Sequence, residues 1–233
     1  MMETVDGRIQ TERWSLSAAA ESQYEAVHAL HKADAWMCGR QTFQVDFLEQ
    51  AKDAGFSRKV KVPPGDFIAA GQTLRAFRPR KGAAASPVYA IAVDSSGKLR
   101  WDSQDMRGDR LVVLTTEKAP SGYLADLRAK SISYLICGKS EIDFAAALGR
   151  LRKYFGIRKL MLEGGGSING ALLAAGLIDE LSLLICPFAD GSPSLPTVFD
   201  APDSKLGKKA TALRLMSAKA RPGGVVWLRY RIS

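Results

Sequence analysis

KLMLEGGGSINGALLAAGLIDELSLLICP, residues 159–187, sets the reading of the whole chain. Lys159–Leu162 and Glu180–Cys186 are short apolar runs, the first closed by glycines and the second by Pro187, so both read as buried strands. Ser167–Ala175 between them reads as a helix, with Gly176 placed as its left-handed C-cap. The turn from strand to helix is Glu163-Gly164-Gly165-Gly166. Three glycines in a row permit positive φ and leave the turn without a Cβ. A ligand can then approach the backbone closely. The helix behind the turn aims free N–H groups and its positive dipole end at that space, which suits a phosphate. No Gly-Lys-Ser/Thr follows, so this is not a Walker A loop. The spacing Gly164-x-Gly166-x-x-Asn169, late in the chain, also departs from the Rossmann fingerprint. A turn packed tightly for its own sake is the structural alternative.

Working outward, the same alternation recurs. Ser17 is placed to cap a helix starting at Ala18, with Glu21 as its capping-box partner and Tyr24, Val27 and Leu30 on one face. Ala35–Cys38, the run opened by Pro87 (PVYAIAV), Leu111–Leu114 and Tyr134–Cys137 read as strands. Ala145–Tyr154 reads as a helix with Leu148 and Leu151 inward. Ala212–Ala218 and Val225–Arg231 alternate around Arg221-Pro-Gly-Gly224, a hairpin pattern. Strands with continuous apolar runs, alternating with helices, predict an α/β fold with a mostly parallel sheet buried on both faces. The hairpin adds an antiparallel edge. Residues 51–87, broken by Pro63-Pro64-Gly65, Gly71 and Pro79, read as a long surface insertion in one domain spanning 1–233.

Composition narrows the class. Of 233 residues, 46% are hydrophobic and 24% charged, the balance of a folded globular chain and not of a disordered one. No apolar run is long enough to span a bilayer, and MMETVDGRIQTERW lacks the apolar core of a signal peptide. Cys38, Cys137 and Cys186 sit in apolar surroundings without CxxC spacing, as reduced core thiols would in a cytoplasmic protein. The net charge is +9, and residues 201–233 hold eight Lys/Arg against Asp203 alone. Such an excess favours anionic partners, yet no helix-turn-helix, zinc-finger or RNP signature accompanies it. A solvated surface is the first reading of that charge, and attraction of a phosphate-bearing small molecule the second.

Other strand ends offer chemistry. In Cys38-Gly39-Arg40-Gln41-Thr42-Phe43, Arg40 presents a planar donor fork suited to phosphate, and Thr42 a hydroxyl. The plainer reading makes Arg40 a surface residue and Thr42 a helix cap. Leu114-Thr115-Thr116-Glu117-Lys118 sets two hydroxyls and an ammonium where a 2′-phosphate could sit, or is an ordinary loop. Asp6, beside Gly7, is an acid able to donate a proton or bind an amine, or simply a turn residue. Asp46 and Glu163 are further carboxylates near these ends. His28 and His31 have no Cys or acid pair at metal-binding spacing, so no metal is assigned. The absence of a Gly-x-Ser-x-Gly elbow disfavours a hydrolase.

Together these motifs resemble the reductase domain of riboflavin biosynthesis, the C-terminal half of the bifunctional deaminase–reductase, within the dihydrofolate reductase-like superfamily. LEGGGSINGALLAAGLIDEL is similar to the family's EGG-x-x-hydrophobic/Asn-Gly-x-Leu-Leu-x-x-Gly-Leu-Val-Asp-Glu-Leu stretch. ADAWMCGRQTF, TVDGRI and PVYAIAVDSSGKL resemble three others. The resemblance implies a dihydrofolate reductase-like three-layer sandwich, a homodimer, NADPH, and hydride transfer to a pyrimidine or pterin-like heterocycle. Carried over, Gly39, Arg40 and Thr42 would contact the cofactor. Gly164, Gly165, Gly166, Ser167 and Ile168 would seat its pyrophosphate, and Thr115 and Thr116 would lie by the adenosine end. Asp6 and Glu163 would face the substrate, with Asp46 standing for one acid of the family's Asp-Asp-Pro-x-Leu-Thr-x-Arg run. The rest of that run is replaced here by QVDFLEQAKDAG, and the deaminase half's zinc-ligand motifs do not occur in these residues. The reading left open beside this one is a non-catalytic nucleotide or nucleic-acid binding module on the same fold, motivated by the basic tail. No membrane partner is expected.

Overall fold

The computed structural model describes residues 1–48, 55–72, 88–201 and 210–232. The chain gathers into two compact units, Ala33–Glu163 and a second made of Met1–Lys32 with Gly164–Ser233. The α/β character read from the sequence is what forms, but the strands divide between two sheets.

In the first unit β2 (Ala35–Gly39), β3 (Tyr89–Val93), β5 (Asp109–Thr115) and β6 (Ser133–Ile136) run parallel, and a two-residue β4 (Asp105–Met106) turns back on β5. β7 (Leu160–Gly164) lies beside β2. Ala35, Met37, Ala90, Ile91, Leu111 and Val112 are fully buried, because helices cover both faces of a parallel sheet and leave no polar face to alternate with. Met37, Ile91, Leu111 and Val112 each contribute roughly 1.5–3 kcal/mol by leaving water, and the alanines less. One face stacks Trp36 on Phe43 at 5.4 Å, and Trp101 meets Phe43 edge-on at 5.3 Å. The helices of this unit are α2 (Arg40–Asp46), α3 (Ser121–Ala129) and α4 (Phe144–Phe155). Asp143 caps α4 by accepting from the Ala146 N–H at 2.9 Å, and Gly156 ends it at φ 73°. The buried stripe of α4 is Ala147, Leu151 and Phe155, one turn apart, so Leu148 lies beside that stripe and not at its centre.

Of the insertion read at 51–87, residues 51–54 and 73–87 lie outside the described residues. Within the described part, 66–72 lie along β6. Phe67 and Tyr134 exchange both backbone bonds at 2.9 Å. Asp66 accepts from the Ile136 N–H at 2.9 Å and pairs with Arg150, and the Gln72 side chain accepts from the Ser133 N–H at 3.1 Å. Arg128 lies over the Phe67 ring and donates to the Tyr134 hydroxyl. An open strand edge is a liability in water, and this segment satisfies it. Its Pro-Gly content hid the role, since the bonds come mostly from single side chains and one bridge.

The second unit holds β1 (Met2–Thr4), β8 (Glu180–Cys186), β9 (Leu213–Arg221) and β10 (Val225–Ile232), ordered β1-β8-β10-β9. Only β1 and β8 are parallel; β9 and β10 form the expected hairpin, and β8 joins it antiparallel. In this unit α1 (Ala18–His31) is capped by the Ser17 hydroxyl as read, but it buries Ala20, Gln23 and Val27 while Leu30 is 60% exposed. The reason is close packing at Ala20, whose backbone abuts Gly223. α5 (Gly166–Ala174) ends as expected, with Gly176 at φ 66° and the Leu177 N–H reaching back to Leu172 O at 3.0 Å.

Asp66 is the testable element of the edge cover. Asp66→Ala strips the acceptor from both the Ile136 amide and Arg150, and is expected to cost about 1–3 kcal/mol in urea unfolding. An unchanged unfolding midpoint would show that 66–72 does not stabilise β6.

Candidate functional site

Parallel pairing levels the strand ends in the first unit. Gly39 pairs with Val93, Val93 with Leu114, and Thr115 with Ile136. Gly39–Arg40, Asp94–Ser96 and Thr115–Thr116 therefore gather at one carboxyl edge, where open α/β sheets bind ligands. Gly39 is extended and precedes α2 without a side-chain cap, so Thr42 is not the cap; it sits inside the helix, half-buried. The half-buried Arg40 guanidinium donates to Gln44 Oε1 at 2.9 Å.

The two threonines are fully buried, and their hydroxyls donate to the neighbouring loop: Thr115 Oγ1 to Asp94 O at 2.8 Å and Thr116 Oγ1 to Ser95 O at 2.7 Å. They brace the edge from within. Ser95 and Ser96, half-buried at the same edge, are the hydroxyl residues sequence reasoning passed over. The signal was present in VDSSGK: the strand-end logic used for β2 and β5 applies equally to β3.

Asp94 builds that turn. Its Oδ2 accepts from the Lys98 and Leu99 N–H groups at 2.8 and 2.9 Å, and Gly97 completes the turn at φ 64° against Tyr123. Burial raises the Asp94 carboxyl above its ordinary value, against the pull of the two amides. Burial also pushes the Tyr123 hydroxyl, which accepts from Trp101 Nε1, well above its usual range.

Glu163 is the penultimate residue of β7 and half-buried, and Asp46 closes α2 in the open. Burial raises the Cys38 thiol, and the charges of Glu163 and then Asp46 push it further, which puts both carboxylates within electrostatic reach of the end of β2.

In the second unit the glycine turn is built from unequal parts. Gly164 is buried at φ 125°, and a Cβ there would press on the Met1 side chain at 3.2 Å. A Cβ on Gly166 would run into Asp200 and the Thr197 carbonyl. That glycine is demanded by packing within the protein. Gly165 is half-exposed, Ser167 exposed, and Ile168 only 8% exposed, so Gly165 and Ser167 present the turn outward while Ile168 anchors it. No side chain caps α5, which leaves its leading amides for an external anion. A dinucleotide pyrophosphate fits such a turn: uncapped amides, a Cβ-free half-exposed position and one free-standing serine.

Asp6 lies in the opening loop of this unit. Its carboxylate accepts from the Thr4 hydroxyl at 2.5 Å and from the Asp190 and Gly191 amides at 3.0 and 2.8 Å. The Thr4 hydroxyl, followed by these amides, holds it well below the usual carboxylate range. At neutral pH Asp6 is an anion, so the proton-donor role raised from sequence does not suit it. Of the tail's basic residues, Arg221 donates to Gln23 and Arg229 pairs with Glu180, which uses part of the charge internally.

The fold is of the dihydrofolate reductase-like α/β kind. The chain belongs to the RibD C-terminal domain family, whose model matches residues 1–227. Among curated proteins it is 29% identical over 214 residues to a 2,5-diamino-6-ribosylamino-4(3H)-pyrimidinone 5′-phosphate reductase of Methanothermobacter thermautotrophicus, covering 91% of this chain and 86% of that one. A protein of the same name from Aquifex aeolicus is 32% identical over 106 residues, 46% of this chain and 47% of that one. Among solved structures, a pyrimidine reductase-like protein of Corynebacterium diphtheriae superposes with a TM-score of 0.69 at 18% identity, over 100% of this chain and 89% of that one. RibD of Acinetobacter baumannii gives 0.67 at 17%, over 100% of this chain and 56% of its own. These two likenesses speak to the fold.

Asp94 yields a signed test. Its raised pKa means that the folded chain holds the proton more tightly, so this group's stabilisation is present at low pH and lost as pH rises past 3.8 through the raised value. Asp94→Asn keeps an acceptor for the two amides without the buried charge. Its melting temperature relative to the parent is expected to climb between about pH 4 and about pH 7. A pH-independent difference in calorimetry would contradict this account of Asp94.

Proposed function

We propose that this chain is an NADPH-dependent reductase of a ribosylaminopyrimidine phosphate, of the riboflavin-biosynthesis type, and that it works in the cytoplasm. The observation that supports this most is the uncapped glycine turn at Gly164–Ser167, within a family match that runs through both compact units. That match also favours reading 1–233 as one functional domain. The relatives' names supply the substrate class.

When bound, NADPH supplies the hydride. The chain's part is to bind, orient and exclude water. Gly165 and Ser167 receive the pyrophosphate on the α5 amides, with Gly164 and Gly166 setting the backbone and Ile168 anchoring it. Arg40, with Gly39 and Thr42, offers a cation and backbone groups at the sheet edge. Thr115 and Thr116 support that edge from beneath, and Ser95 and Ser96 present hydroxyls on it. Glu163 and Asp46 are the carboxylates assigned to the amino-bearing heterocycle. Asp6 positions its loop as a fixed anion.

The assay is loss of NADPH absorbance with 2,5-diamino-6-ribosylamino-4(3H)-pyrimidinone 5′-phosphate. Gly165→Val, which puts a branched side chain where the pyrophosphate would lie, is expected to weaken NADPH binding by about a hundredfold or more while the circular dichroism stays that of the parent. Glu163→Gln is expected to lower kcat/KM by about a hundredfold with NADPH affinity unchanged. Parent-like cofactor affinity in Gly165→Val would remove the site from the glycine turn.

The reading includes a homodimer. β9 is bonded on one side only among the described residues, and Leu213, Leu215 and Met216 on it are 42%, 53% and 38% exposed. A second copy covering this strand would bury them. Leu215→Lys is expected to sediment as a monomer where the parent sediments as a dimer; two species of equal mass would place any interface elsewhere.

A further inference from the structure

The α5 amides are useful to an anion only if they are held still, and α5 has little stiffness of its own. It has nine residues, two of them glycine, and no side-chain cap. Short glycine-bearing helices are marginal unless tertiary contacts fix them. Among the described residues, one strap, 195–201 of the same unit, supplies such contacts at Gly166, Asn169 and Gly170.

The strap touches α5 backbone to backbone. The Asp200 N–H donates to Gly166 O at 2.9 Å, and from the helix side the buried Asn169 side chain donates through Nδ2 to Val198 O at 2.8 Å. A Cβ at Gly166 would meet Asp200 Cγ at 2.7 Å, and one at Gly170 would meet the Asp200 carbonyl carbon at 2.5 Å. The glycines therefore exist on that face to admit the strap. The strap in turn is folded by the Asp200 carboxylate, which accepts from the Thr197 hydroxyl at 2.7 Å and the Thr197 N–H at 3.1 Å. At its other end Leu195 O accepts from Arg8 at 3.2 Å and Pro196 O from the Ile9 N–H at 3.2 Å. One short segment thus ties the glycine turn to the loop that carries Asp6.

We infer that Asp200 is a positioning residue for the cofactor seat: by locking the turn from Thr197 to Asp200, it fixes the first turn of α5 and keeps its amides aimed outward. This inference rests on the proposed function for its consequence, though not for its geometry. It also predicts a sign. The carboxylate lies against Gly166, close to where an anion would sit. Removing its charge while keeping its acceptor should leave binding as tight or tighter, whereas removing the acceptor should loosen the seat.

The test compares Asp200→Ala with Asp200→Asn. In cofactor-free protein, the amides of Ile168 and Asn169, both bonded to Gly165 O, are expected to exchange with deuterium about tenfold faster in Asp200→Ala and at the parent rate in Asp200→Asn. The KM for NADPH is expected to rise about tenfold in Asp200→Ala with kcat within about twofold, and to stay level or fall in Asp200→Asn. Thr197→Val, which removes the hydroxyl donor alone, is expected to move both readouts in the Asp200→Ala direction and serves if Asp200→Ala does not fold. Parent-like exchange in Asp200→Ala and Thr197→Val, or equal disturbance by Asn and Ala at 200, would overturn the inference. If the parent protein takes up no NADPH, the proposed function fails, and the exchange rates still decide the role of Asp200.

Discussion

Two glycines one helical turn apart, Gly166 and Gly170, let the backbone of 197–201 lie directly against α5. A methyl group at either position has no room, so the contact cannot be relaxed by choosing another rotamer. The cofactor seat proposed for the second unit depends on that approach. It fixes a short helix that has no cap of its own, and it leaves the Gly165 and Ser167 side of the turn open to solvent. Glycine thus does three different jobs in three adjacent positions: buried positive-φ backbone at 164, an outward-facing position at 165, and close packing at 166.

The first unit reaches a similar end by other means. Its edge is defined by level strand ends, and the loop from Asp94 to Leu99 is held there by side chains that are themselves buried. Asp94 folds the loop, and Thr115 and Thr116 brace it by donating to its carbonyls. Polar groups sealed from water must be bonded, so these hydroxyls serve the scaffold. The groups proposed to meet a ligand there are the Ser95 and Ser96 hydroxyls and the Arg40 guanidinium, one of whose donors is held by Gln44.

Much of this was legible in the sequence. The helices at 18–31 and 167–175, the C-terminal hairpin and each buried strand follow from apolar periodicity, caps and Pro/Gly punctuation, because those signals are local. The glycine turn was recognisable as a place where backbone is bare. What local signals could not give was the use of each bare position. Gly166 is set apart from Gly165 by Thr197 and Asp200, more than thirty residues on. Likewise Thr115 and Thr116 read as ligand-binding hydroxyls until the loop after β3 is seen to claim them. The separation into two sheets and the cover of β6 by 66–72 depend on long-range pairing, which periodicity does not encode. Leu30 misread the buried face of α1 because the close contact at Gly223 rotates the helix onto Ala20 and Gln23.

The central claim is that the amides at the start of α5 receive the cofactor's pyrophosphate. Its most direct test is a titration of isotope-labelled protein with NADPH, followed by backbone amide chemical shifts. The account expects saturable shifts that are largest at Gly165, Gly166 and Ser167. Saturable binding that leaves these three amides unmoved would contradict it, as would the absence of any saturable change.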